Sequence, residues 1–280
     1  MSMIVFSVMF TPLLIYYIFS LHGGFGAHWR KATGLRSNLY LHHGNAMVKL
    51  KEIDGMLSEH SPYYNRLSEK NKQEFLLRTF YIHRKKRFFS TERQLLNYEK
   101  EIYLASLMAQ LSFGLQTRYW LPSFELIRIH PDSFYSGIVD AEVNGLTINE
   151  TIIHLSWKHV ELGKTNHADG RHLAMHEFAH ALYLDIHDYK FFNPFSFSMN
   201  MAKELYQETK EQHNHIFSGR DASTPYEFWA VSVEFFFENP EKLFIEMPLY
   251  YKTLAQELKQ DPLGKFRNFP FADSFKSVNN

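Results

Sequence analysis

The sequence predicts an α+β domain, mostly helical with a small sheet, behind an N-terminal transmembrane helix. Three observations carry this. The 280 residues are 45% hydrophobic, enough to bury the core of one substantial domain or two small ones. Apolar residues recur at helical spacing before Leu115 and again after Gly170, and short β-rich pieces lie between them. The stretch from Met3 to Leu21 carries no charge at all.

That charge-free run, MIVFSVMFTPLLIYYIFSL, has the roughly 20 residues a helix needs to span a bilayer. Pro12 is no obstacle, because prolines are tolerated in membrane spans. No lysine or arginine precedes the run and no A-x-A-like site follows it, which argues against a cleaved signal peptide. Arg30, Lys31 and Arg36 come just after it, and the positive-inside tendency then places the rest of the chain in the cytoplasm. The expected organisation is an anchor over residues 1–22, a juxtamembrane linker over 23–46 rich in glycine, histidine and basic residues, and a folded domain over 47–280.

Within the domain, the spacing of Phe75, Leu76, Thr79 and Phe80, and of Leu95, Leu96, Ile102, Leu107 and Leu111, predicts three helices between Met47 and Leu115. The run Arg84-Lys85-Lys86-Arg87 reads as a solvated helix face. Strands are expected from Phe124 to Ile129, Ile138 to Val143 and Ile152 to Ser156, with Asn144-Gly145 as a turn. Helices follow from Gly170 to Asp185, Met199 to Gln212 and Pro225 to Glu238. The ends of the last are legible: Thr224 caps it, Pro225 suits the first helical position and Asn239-Pro240 stops it.

The formal net charge is zero, so there is no basic surplus to neutralise nucleic-acid phosphates, and nucleic acid is not an expected partner. With no cysteine, any metal must be held by imidazoles and carboxylates. His176-Glu177-Phe178-Ala179-His180 matches H-E-x-x-H inside a predicted helix. Histidines at i and i+4 share one face and reach one zinc, while the glutamate after the first is placed to act on the metal's water as general base. Phe178, Ala179, Ala181 and Leu182 mark this helix for burial, where two histidines and a glutamate are costly without a metal. A catalytic zinc needs a third protein ligand and an open position. Glu227 and Glu234, seven residues apart on the later helix, offer one ligand and one carboxylate to orient a ligand histidine. Thr224-Pro225-Tyr226-Glu227 also reads as a capping box.

In this order the motifs resemble the Mlc titration factor A family of zinc peptidases, which shares a catalytic core with anthrax lethal factor. The similar segments are Ala109–Leu115, His130-Pro131-Asp132-Ser133-Phe134, Ile153–Trp157, Asp169-Gly170, Met175–Leu182 and Glu227–Phe236, together covering most of the chain from about Ser58. The resemblance implies a gluzincin-like fold, a small mixed sheet with two helices facing each other across zinc. It places the third zinc ligand on Glu227 and gives Glu234 the orienting role. It also implies a peptide or protein substrate, aminopeptidase-like activity, and a regulatory protein as a second partner. Two departures stand out. Where the family has L-D directly after the second histidine, this chain has Leu182-Tyr183, with Asp185 as the displaced carboxylate. The family's tyrosine seven residues before the ligand glutamate is Arg220 here, which is then expected to serve as the oxyanion donor.

The remaining histidines near the motif, His154, His159, His167 and His172, read as surface or supporting groups, since zinc takes four ligands. His213 and His215 are expected to face solvent. Phe191, Phe192, Phe195 and Phe197 read as packing first, and as a pocket for apolar side chains second. The expectation is therefore an anchored, cytoplasm-facing zinc peptidase. The rival is a membrane-tethered zinc protein that binds a regulator, and the intact Glu177 argues for the enzyme.

Overall fold

The computed structural model describes residues 44–92, 95–115, 119–148, 151–166, 169–187, 195–209, 215–220 and 222–266. The expected anchor and nearly all of the linker lie outside these residues. Among the described residues no helix is long and apolar enough to cross a membrane. The chain divides into two units, Met1–Glu52 and Ile53–Asn280, and every element after the first helix belongs to the second.

Four helices, not three, occupy the first half: α1 Gly44–His60, α2 Pro62–Arg66, α3 Glu69–Lys85 and α4 Tyr98–Ser112. The extra one is a short turn that local chemistry starts, with Ser61 Oγ accepting from the Tyr64 N–H at 3.2 Å and Pro62 at the first position. Helix α4 is buried continuously from Ile102 to Ser112, as a helix apolar on all sides must be. Its last carbonyls are capped by side chains from elsewhere. Arg78 donates to the Phe113 carbonyl at 2.6 Å, and Gln260 donates to those of Gln110 and Leu111 at 2.9 and 3.1 Å. These bonds answer the acceptors that a helix end leaves orphaned in the interior.

The main sheet has the order β1-β2-β6-β5, built from β1 Arg87–Ser90, β2 Leu126–His130, β5 Gly145–Ile148 and β6 Ile152–Ser156. The first three strands run parallel and β5 is antiparallel to β6, so the sheet is mixed. Ile127, Ile129, Ile153 and Leu155 are fully buried in its centre. A separate two-stranded ribbon pairs β3 Phe134–Ser136 with β4 Ala141–Val143. The strand expected from Ile138 thus begins only at Ala141, and Asn144 joins two strands of different sheets instead of closing a hairpin.

The charge run is also reassigned. Helix α3 ends at Lys85, Arg87 opens β1, and Lys86 between them is buried. Its ammonium donates to the carbonyls of Leu121 and Phe124.

After the sheet come α5 Trp157–Thr165, α6 Leu173–His187, α7 Ser196–Thr209, α8 Pro225–Glu238, α9 Pro240–Glu246 and α10 Pro248–Leu258. Helix α8 has the predicted bounds. Thr224 Oγ1 accepts from the Glu227 N–H, and Asn239 ends α8 while capping α9. Helix α6 packs on α4, α8, β5 and β6, and that central position builds the site.

Candidate metal centre

Helix α6 enters the core through Gly170, whose φ of +71° and close approach to the Phe235 ring exclude a side chain. Ala174, Met175, Phe178, Ala179, Ala181 and Leu182 are fully buried, and their packing fixes the rotation of the helix. His176 and His180, one turn apart, then face α8 together. From α8, Glu227 Oε2 lies 3.0 Å from His176 Nε2 and 3.3 Å from His180 Nε2, and the two Nε2 atoms are 3.0 Å apart. Among the described residues these three side chains form a group that could hold a metal ion.

The set fits such an ion. A tetrahedral site with arms of about 2.0–2.1 Å has ligand-to-ligand edges of about 3.3 Å, close to the separations seen. His176 Nδ1 bonds Glu234 Oε1 at 2.7 Å, which orients the ring and commits that nitrogen as the donor. Its Nε2 is left to face the convergence point. Without metal, the positive charge that two carboxylates demand there is a proton. Burial works against a charged His176, but the hydrogen bonds to Glu227 and Glu234, with the charges of Glu234 and Glu177, push it up to about 10. Glu227 is partly buried, yet the two histidines hold it below the usual carboxylate range.

Glu234 sits behind these three side chains and is 1% exposed. Burial opposes its ionisation, but His176, Arg220 and the His172 N–H hold its pKa below the ordinary value. Arg220 Nη2 lies 2.7 Å from both carboxylate oxygens, and Nη1 donates to the Gly170 carbonyl. The residue expected as an oxyanion donor is therefore committed to Glu234. Asp185, expected to support the histidines, points elsewhere: Oδ1 accepts from the Ser123 N–H at 2.7 Å and Oδ2 from the Tyr119 hydroxyl. The cause is position, because five residues past His180 the helix has carried Asp185 round to the Tyr119–Ser123 segment. Among the described residues, His180 Nδ1 has no hydrogen-bond partner.

Glu177 lines the same cleft, which has a volume of about 890 Å³ and also includes Asn144, Gly145, Thr147, His159, Tyr226 and Glu227. Burial pushes its carboxyl up, against the pull of His176, His180 and the Thr147 hydroxyl. Tyr226 stacks on the His180 ring at 4.2 Å and donates to the His180 carbonyl.

His172 is buried, bonds the Tyr103 hydroxyl at 2.8 Å and donates its N–H to Glu234. His154 pairs with His130 and His159 with Ser156. His215 is half-buried. Phe195 packs against Trp229, and Phe197 is exposed. His167, Phe191, Phe192 and His213 lie outside the described residues. The sequence reading missed Thr147, Tyr103 and the clamp of Arg220 on Glu234, none of which carries a local motif.

Mlc titration factor A from Escherichia coli O1:K1 is 29% identical over 202 residues, which is 64% of this chain and 74% of that protein. Mlc titration factor A from Shigella boydii serotype 18 is 28% identical over the same lengths. The profile of the glucose-regulated metallo-peptidase M90 family matches residues 49–259, well over half of the chain and all of the centre just described. This chain belongs to that metallopeptidase family.

Proposed function

We propose that the protein is a zinc-dependent peptidase in which His176, His180 and Glu227 hold the metal and Glu177 is the general base. The observation that carries this is the convergence of two imidazole nitrogens and a carboxylate oxygen at 3.0–3.3 Å in a cleft that also holds Glu177. When bound, zinc would supply a Lewis acid and bring a water's pKa to about 7. Glu177 takes a proton from the attacking water and returns it to the departing amine of the peptide. Its burial keeps it a stronger base than a solvated carboxylate. Glu234 orients His176, and Arg220 acts through Glu234 by holding its charge in place. The amino-terminal run from Met3 to Leu21 would tether this domain to a membrane.

The test is Glu177→Gln. Glutamine keeps the shape and removes only the base, so zinc content is expected to stay at about one equivalent while peptide hydrolysis disappears. Turnover equal to wild type would overturn the mechanism.

The name of the relatives, Mlc titration factor A, favours a second reading in which the domain also captures a regulatory protein. The β3–β4 ribbon supports it with exposed Tyr135 beside exposed Ile138 and Val139. Under this reading Glu177→Gln still binds the regulator.

A further inference from the structure

Two residues of edge strand β5 meet Glu177. Thr147 Oγ1 donates to Glu177 Oε2 at 2.7 Å and lies 3.1 Å from the Glu177 carbonyl. Two positions earlier on the same face of the strand, Gly145 leaves room for the carboxylate. A Cβ there would collide with Glu177 Oε1 and come within 2.8 Å of its Cδ and Cγ. The clash is with a side-chain end and not with backbone, so an added methyl would move the carboxylate and leave the strand where it is. The strand itself is fixed by its pairing with β6, Gly145 opposite Leu155 and Thr147 opposite Ile153.

A glutamate side chain has three rotatable bonds, and none of the metal-ligand geometry holds them. Placement matters, because a misplacement of about 1 Å can cost on the order of 10²-fold in rate. We propose that Thr147 and Gly145 are positioning residues for Glu177. The hydroxyl ties down one carboxylate oxygen, and the missing side chain leaves the space in which the other stands. The inference rests on the reading of Glu177 as general base.

The experiment uses the full-length protein, in detergent and loaded with zinc, as wild type, Thr147→Val, Thr147→Ser, Gly145→Ala and Glu177→Gln. Each is measured for peptide turnover, zinc content and calorimetric affinity for acetohydroxamate, a metal chelator whose N-hydroxyl proton needs an acceptor beside the metal. Thr147→Val is expected to lose about tenfold in kcat, the scale of one hydrogen bond, with KM and zinc content unchanged. Thr147→Ser should recover most of it, which a packing role would not explain. Gly145→Ala is expected to lower kcat further at an unchanged melting temperature. The hydroxamate affinities of Thr147→Val and Gly145→Ala should fall in the direction set by Glu177→Gln.

Wild-type turnover and hydroxamate affinity in Thr147→Val would overturn the proposal. A protein that cleaves no peptide while its hydroxamate affinities still follow this order would remove the peptidase reading and keep the positioning one. Glu177→Gln without effect on either readout would overturn both.

Discussion

Glu234 gathers four contacts onto one buried carboxylate: the His176 ring, the His172 N–H and two from Arg220 Nη2. A charge taken out of water at this depth is tolerable only with a partner and full hydrogen bonding. Arg220 supplies both, which accounts for a guanidinium at a position where the family resemblance leads one to expect a phenol. The predicted consequence of Arg220→Ala is therefore structural first. Removing one partner of a buried pair costs about 3–5 kcal/mol. Metal affinity is expected to drop by about 10–100-fold as His176 loses its orientation. Chemical denaturation and metal competition measure the two effects. Arg220→Lys should recover part of the stability but little of the metal affinity, because an ammonium cannot reproduce the planar guanidinium that holds Glu234 with Nη2 and the Gly170 carbonyl with Nη1. A variant with normal stability and affinity but slow turnover would instead place Arg220 at the reacting centre.

At the scale of elements, α8 and β6 were legible because their signals are local, with Thr224, Pro225 and Asn239 bounding the helix and apolar residues filling the strand. The His176–His180 pair of the candidate centre was legible for the same reason, being a motif of fixed spacing on one helix, whereas Glu227 comes from α8 and was weighted by the family resemblance. Strand β1 was hidden because four consecutive basic residues look solvated, whereas the fold buries the third. The partners of Lys86, the carbonyls of Leu121 and Phe124, lie 35 and 38 residues away, beyond the reach of any local pattern. That burial has a pH signature. Desolvation lowers Lys86 to about 7, with Asp185 and Glu125 pulling the other way. Its folded pKa is thus below the unfolded value of 10.5. Between these values the unfolded chain binds more protons, so this residue's contribution to stability rises with pH. The slope approaches about 1.4 kcal/mol per pH unit. Glu238 opposes it, since burial and the charges of Glu234 and Asp169 raise its carboxyl to about 9, and its contribution falls as pH rises toward that value. Wild type minus Lys86→Met isolates the lysine. The difference in unfolding free energy should grow from pH 7 to 10 in favour of wild type, and a flat difference would show that Lys86 keeps its charge when folded.

At the scale of the molecule, the charge-free run from Met3 to Leu21 predicts that full-length protein sediments with membranes and resists salt extraction. A chain starting near Met47 should stay in solution and still bind metal. Full-length protein in the soluble fraction would remove the anchor.

A metal ion held by His176, His180 and Glu227 would link α6 to α8, but these helices already share a core in which Phe178, Phe228, Trp229 and Phe236 are buried almost completely. Hydrogen bonds between Glu227, Glu234 and the two histidines cross the same gap. Metal-free protein is therefore expected to keep its fold, with an unchanged far-ultraviolet spectrum. Free metal at 100 times Kd adds about 2.7 kcal/mol. For a domain of this size that is roughly 5–10 °C in Tm. The second consequence is a proton. His176 in the metal-free chain is held protonated up to about 10 by Glu227 and Glu234, and a metal ion can take its Nε2 only by displacing that proton. Binding at pH 8 should release about one proton from this residue. Calorimetry in two buffers of different ionisation enthalpy reads it directly, as a difference in apparent binding heat proportional to the protons released. Identical heats in the two buffers would mean that His176 is already neutral before metal arrives. The charge between Glu227 and Glu234 would then be balanced by some other group.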